Sequence, residues 1–286
     1  MSEATQEIPR AWIDNYANSL NSISQANKNL LASCLEHIDY SDKVSAVRSI
    51  VRLMEVICQE STRQASVMAA AFYDGIRKAQ GLSDEFSATT IGYNAAATDS
   101  AVRGAAARLA SSSGTYAGGS AAARRMLASR VGYETKAAAG NTIYSNMARD
   151  PRTPAYARVP RFTPTTYGHE IGDTHNKYLH NHGTCVFCGM LASRGFVYFN
   201  GKTAGADFGH YHDDCDCVIV PSWFKHPMVE NYDPRDYMSD YDEYRKQDHT
   251  AHALYSADHG SEQYRRNQKD RSYGANEWGI FGNLRP

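Results

Sequence analysis

From Trp12 to Ile38 apolar side chains recur at spacings of three, four and seven residues, through Tyr16, Leu20, Ile23, Leu30, Leu31 and Leu35. That period places them on one face of a helix. A second series runs through Val44, Val47, Ile50, Val51, Met54, Ile57, Met68, Phe72 and Ile76, with Ser41 positioned to cap its start and Gly81 to stop it. Two long amphipathic helices are therefore predicted. Cys34 and Cys58 fall inside these series and read as core thiols. Residues 95–110 and 120–148 are rich in Ala and Arg, which favours helix, and the small residues from Ser111 to Gly119 separate the two stretches. Pro151, Pro154, Pro160 and Pro164 then forbid helix through residues 150–165, which sets a domain boundary there.

Past that boundary the pattern changes. Phe196-Val197-Tyr198-Phe199 and Val218-Ile219-Val220 are rich in strand formers, and Asn200-Gly201 is a turn signal. A small module of two or three strands is expected. Beyond Trp223 the chain is polar; Met238 to Arg266 reads as a helix carrying Tyr241, Tyr244, His252 and Tyr255 near one face, and Ser272 to Pro286 as an extended tail.

With 286 residues, 42% of them hydrophobic and 21% charged, the chain can bury a core of one large domain or two modest ones. No run approaches the roughly 18 apolar residues of a membrane span. Residues 1–10 show no basic segment followed by an apolar run, so folding in the cytoplasm of the producing cell is expected. The net charge of −1 conceals a strong asymmetry: residues 100–161 carry +8, against −4 before them and −5 after. Such a segment either meets nucleic acid or an acidic protein surface, or is a solvated face balanced by its flanks. Arg103, Arg108, Arg124, Arg125 and Arg130 are the candidate phosphate contacts, of a kind that needs no base readout.

Candidate chemistry is concentrated further on. Ten of the eleven histidines lie at or after His169, and four of the six cysteines lie between Cys185 and Cys217. Cys185-Val186-Phe187-Cys188-Gly189 can aim two thiolates at one point, and His212-Asp213-Asp214-Cys215-Asp216-Cys217 offers three more donors, so five candidates compete for four tetrahedral zinc positions. An extended 215–219 would present Cys215 and Cys217 on one side, whereas a turn over 212–215 would bring His212 and Cys215 together. Cys185, Cys188, His212 and Cys215 are favoured, with Cys217 the close competitor. A redox pair, structural disulfides and a catalytic zinc are the weaker readings, because the strand-to-helix context, an oxidising compartment and the H-x-E plus P-C-x-x-C deaminase pattern are each missing. Structural zinc would replace the core that so short a module lacks.

The stretch Ala157-Arg158-Val159-Pro160, then Thr184 to Gly195, then His212 to Cys217, closing with Val220-Pro221-Ser222-Trp223, resembles the MuF-like minor head proteins of tailed phages of actinobacterial hosts. Against that pattern, Arg161 to Gly183 looks like an insertion. The resemblance implies a non-enzymatic virion component present in several copies, made in the host cytoplasm and held at the capsid interior or portal vertex. Its implied partners are the portal or major capsid protein and, without sequence preference, phage DNA; none is a membrane. The predicted fold is thus mainly α: a helical domain (1–150), a Pro/His-rich connector (151–183), a zinc-stabilised β module (184–223) and a C-terminal docking segment (224–286) with Trp278 and Phe281 as anchors. The alternative is a zinc-dependent nuclease or toxin delivered with DNA, in which His180 and His182 would act.

Overall fold

The computed structural model describes residues 7–95, 99–111, 117–152, 154–160, 189, 191–197 and 217–238. The first apolar series forms helix α1 (Arg10–Glu36) and the second α2 (Lys43–Ala79). Pro9 offers α1 no side-chain cap; the Glu230 carboxylate takes that place, accepting from the Arg10 N–H at 3.0 Å. At α2 the cap is Asp42, one residue beyond Ser41, which accepts from the N–H groups of Val44 and Ser45 at 3.0 and 3.4 Å. The same helix stops at Gly81 (φ 80°), where Gly81 N–H reaches Lys78 O at 3.1 Å and Leu82 N–H reaches Arg77 O at 3.2 Å. Those two bonds satisfy carbonyls the helix leaves open, and the left-handed turn between them favours glycine.

The Ala- and Arg-rich stretches form α3 (Asp99–Ser111) and α4 (Ala117–Arg149). Helices α2 and α4 are the central pair of the bundle, and α1 and α3 each pack against both. Small side chains line the central contact, with Ala65 and Ala69 of α2 and Ala137, Ala138 and Ala139 of α4 in one buried cluster. Cys58 is fully buried, as the apolar series predicts, whereas Cys34 is half-exposed.

The bundle has two apolar compartments. One gathers Ile13, Tyr16 and Leu20 with Tyr73, Ile76 and Ile143; the other gathers Leu31, Leu35, Ile50 and Met54 with Leu109 and Leu127. Between them lies a polar seam: Ser24 and Asn27 on α1, Ser61 and Thr62 on α2, and Glu134 and Thr135 on α4, all less than 10% exposed. Asn27 donates to Ile23 O at 3.0 Å and to Gln64 Oε1 at 3.3 Å, and Thr135 donates to Val131 O at 2.9 Å. The hydroxyls of Ser61, Thr62 and Ser66 have no hydrogen-bond partner among the described residues.

Strands β2 (Ala155–Pro160) and β3 (Cys217–Ser222) pair antiparallel from Ala155↔Ser222 to Pro160↔Cys217. Both are buried along all but their first residue, and their side chains join the first compartment, which explains their near-continuous apolar sequence. Val218 to Val220 form a strand, as expected, and its partner among the described residues is β2. Phe196 and Val197 lie outside any strand, while Tyr198, Phe199 and the Asn200-Gly201 turn lie outside the described residues. The partner comes instead from the proline-punctuated stretch read as connector. Tyr156, Ala157 and Val159 can bury there because the prolines stand at tolerated positions, Pro154 before the strand and Pro160 at its last residue.

Two further ties close the first compartment. Short strand β1 (Glu7–Ile8) pairs in parallel with β4 (Met228–Val229), followed by a 3-10 turn over Pro234–Tyr237 that buries Tyr237 completely. At the opposite edge, Arg77 on α2 binds Asp150 just past α4 at 2.9 and 3.2 Å and Asp84 at 2.5 Å, and Tyr73 donates to Asp150 at 3.0 Å. The hydrogen bond from Arg77 holds the Asp84 carboxyl well below the usual range. Burial works against the Asp150 carboxylate, yet the hydrogen bonds from Arg77, the Arg152 N–H and Tyr73 hold it low as well. Of the helix expected over Met238 to Arg266, Met238 alone is described, and the tail with Trp278 and Phe281 lies outside the described residues.

Candidate functional site

Of the five candidate zinc ligands, Cys217 is the one within the described residues; Cys185, Cys188, His212 and Cys215 lie outside them, as do His180 and His182. Among the described residues no three metal-binding side chains converge. Cys217 opens β3, half-buried, opposite Pro160. On the same face two residues back along β2 is Arg158, which is 0% exposed. Its Nη1 donates to Cys217 Sγ at 3.6 Å. Tyr144 of α4 completes the group, with its ring edge-on to Tyr156 at 5.1 Å. Burial pushes the Tyr144 hydroxyl up, while the positive charge of Arg158 opposes that shift. A small cleft is lined by Tyr16, Leu20, Lys136, Gly140, Cys217 and Ile219. Cysteine sulfur together with imidazole suits zinc.

The sequence singles out Arg158 only within the Ala157-Arg158-Val159-Pro160 stretch of the resemblance, and its burial is seen only in the structure.

The five arginines of the basic segment divide into two groups. Arg108 reaches Met126 Sδ across the α3–α4 contact at 3.6 Å, and Arg108 and Arg125 are both exposed. Arg124, half-exposed, is close enough for its charge to pull against the burial-raised Tyr40 hydroxyl in the α1–α2 connection. Arg103 is exposed on α3, one turn and a half earlier. These four lie on the half of the bundle remote from the sheet, around the second compartment. Arg130 is placed differently. It pairs with Glu134 at 2.6 Å, stacks over Tyr133 at 4.4 Å and keeps only 19% of its side chain exposed. The i, i+4 spacing of Arg130 and Glu134 is the sequence signal for that pairing.

A family model described as VG15 protein matches residues 7–164 and 179–244. The chain belongs to the VG15 protein family. VG15 is a family of viral and phage gene proteins, so this is a phage protein. The matched parts span the whole helical bundle, both strands of the β2–β3 pair and all five candidate ligands, while the unmatched interval between them falls inside the Arg161–Gly183 stretch read as an insertion. No curated protein and no solved structure matches the chain. Among the described residues no helix of this VG15 family member is long and apolar enough to cross a membrane.

Proposed function

We propose that this phage protein is a non-enzymatic minor capsid component that acts in head assembly at the portal vertex or inner capsid, touching DNA through its α3–α4 arginine face and carrying one structural zinc. The observation that supports this best is the grouping of Arg103, Arg108, Arg124 and Arg125 on one half of the bundle, outside its apolar interior. Side chains of this type bind phosphates irrespective of base sequence. Membership of a phage family and the resemblance to MuF-like minor head proteins supply the setting.

Replacing Arg108, Arg124 and Arg125 together with Ala should weaken DNA binding equally on unrelated sequences and lower the slope of affinity against salt by about one per lost phosphate contact. Undiminished binding combined with failed head assembly would assign the arginines to a protein partner. Mass spectrometry of purified particles tests the virion location. DNA cleavage that disappears on changing His180 or His182, with zinc retained, would replace this reading by the nuclease one.

For the metal, Cys185, Cys188 and donors from His212, Cys215 and Cys217 would hold zinc, and the ion would supply folding energy to residues 184–223. Cys188→Ser should lower zinc content and expose that segment to protease. Full zinc retention in both Cys185→Ser and Cys188→Ser proteins would remove zinc from the proposal.

A further inference from the structure

We infer that the solvent face of α1 is a contact between two copies of this chain, which pair through α1 in antiparallel fashion about a twofold axis at Ala26. The inference is independent of the zinc and DNA readings, which use other parts of the molecule.

Solvent-facing helix surfaces ordinarily carry charge, and the exposed positions of α2 do, with Lys43, Arg48, Arg52, Glu55, Arg63 and Lys78. Between Ala11 and Ser33 the exposed positions of α1 hold no Asp, Glu, Lys or Arg. Large apolar side chains stand there instead, Leu30 52% exposed and Trp12 41%. The polar side chains of this face already bond within their own helix: Ser19 donates to Asn15 O at 2.8 Å, Ser22 to Asn18 O at 2.9 Å and Gln25 Nε2 to Asn29 Oδ1 at 2.8 Å. Covering them therefore strands few hydrogen-bonding groups, and depletion of charge around an exposed aromatic is the composition of an interface core.

The pattern along the face selects the occupant. Ser19, Ile23, Ala26, Leu30 and Ser33 recur at alternating spacings of four and three, the period at which one helix tracks another. Read from either end, the row runs serine, branched aliphatic, alanine, branched aliphatic, serine. A twofold contact needs such self-complementarity, because residue i of one copy meets residue j of the other and j meets i. With the axis at Ala26, Ile23 of each copy meets Leu30 of the other, and the small alanine side chains let the helices approach closely. Gln25 and Asn29 flank the row. Their mutual bond leaves Gln25 Oε1 as an acceptor and Asn29 Nδ2 as a donor, and the same axis brings each towards its complement on the other copy. Two such uncharged faces meet without repulsion, whereas a helix of an unrelated partner would impose no symmetry on the row.

The test is sedimentation velocity of the full-length protein over a dilution series. Wild-type chain should sediment as a dimer at about 100 μM and dissociate on dilution, as a contact made by one pair of helices implies. Ala26 is exposed and Arg is nearly as good a helix former, so Ala26→Arg should keep the circular dichroism and melting curve of the wild type. It should weaken dimerisation by at least about 10-fold, because it sets two like charges against each other across the axis. Ala26→Glu alone should do the same. Mixing the two variants should restore a dimer, since the axis places the two substituted positions opposite each other. A wild-type chain that stays monomeric throughout the series overturns the inference; if Ala26→Arg then also blocks entry into heads, the face belongs to a different virion protein. A dimer that Ala26→Arg leaves intact, or variants that fail to pair when mixed, also overturns it, by putting the contact elsewhere.

Discussion

The two apolar compartments of the bundle share helices α1, α2 and α4 but close in different ways. The one nearer the sheet is closed by polar ties: Arg77 with Asp150 and Asp84, Arg10 with Pro160 O at 2.6 Å, and Gln80 with Ser222 and Trp223 at 3.0 and 2.9 Å. The other has its interior of Leu, Ile, Met and Ala side chains closed by α3. Specificity is bought in the first by directional bonds between residues distant in sequence, and stability in the second comes from non-directional burial. The seam of Ser24, Asn27, Ser61, Thr62, Glu134 and Thr135 keeps these two kinds of interior apart.

The largest effects should come from breaking each compartment in its own currency. Leu127→Ala, at a fully buried site of the second compartment, should cost about 3 kcal/mol by urea unfolding, and Asp150→Ala in the first a similar amount, because Arg77 is left buried with Asp84 as its remaining acidic partner. Hydrogen exchange separates them: Leu127→Ala should release amides of 46–58 and 102–110 first, and Asp150→Ala those of 69–79 and 143–149. Identical exchange patterns would mean that the bundle opens as one unit.

Acid should weaken the sheet-side compartment before the other. Asp84 and Asp150 have carboxyls held below their ordinary range in the folded protein. Their contribution is therefore complete above about pH 4, the range of an unperturbed Asp, and is lost as pH falls further and the unfolded chain takes up protons first. Between pH 5 and 2, exchange protection should drop in the sheet-side compartment before it drops around Leu127. Cys58 provides a second reading of the contrast. Burial, reinforced by the nearby Glu134 charge, pushes its thiol up to about 12, so alkylation at neutral pH should be slow and should track opening of the second compartment rather than the first.

A smaller effect is expected from the seam itself. The hydroxyls of Ser61, Thr62 and Ser66 lack partners among the described residues, so Ser61→Ala, Thr62→Val and Ser66→Ala should each be neutral or stabilising by up to about 1 kcal/mol. Combined, they should make the two exchange units open together. Smallest of all, Arg125→Ala should change stability by less than about 0.5 kcal/mol, because its side chain is on the surface.

The helices were legible because their apolar periods are long and clean, and Gly81 marked the end of α2 to the residue. The sheet was not. Pro160 and Pro221 argue against strands when the chain is read locally, but here Pro160 ends β2, and Pro221 stands opposite Tyr156 in a two-stranded ribbon, where every strand has an edge. Its partner segments are more than fifty residues apart, a pairing that no local period encodes. In the basic segment, charge counting alone does not distinguish Arg125, which faces water, from Arg130, which its own helix pairs with Glu134.

The stretch after α2 carries one more consequence. Asn146, fully buried on α4, accepts from Thr89 N–H at 2.8 Å and donates to Thr89 O at 2.8 Å, and Asp74 accepts from Ala88 N–H at 2.9 Å. A side-chain amide thus does for this segment what a neighbouring strand's peptide group does in a sheet. What is gripped is the main chain, whose atoms are the same whichever amino acid supplies them. Thr90, turned to solvent, can therefore change identity with little loss of grip, whereas Thr89 also offers its hydroxyl to Arg149. Asn146 has no such latitude, since Asp in its place keeps the shape but gives up the donor.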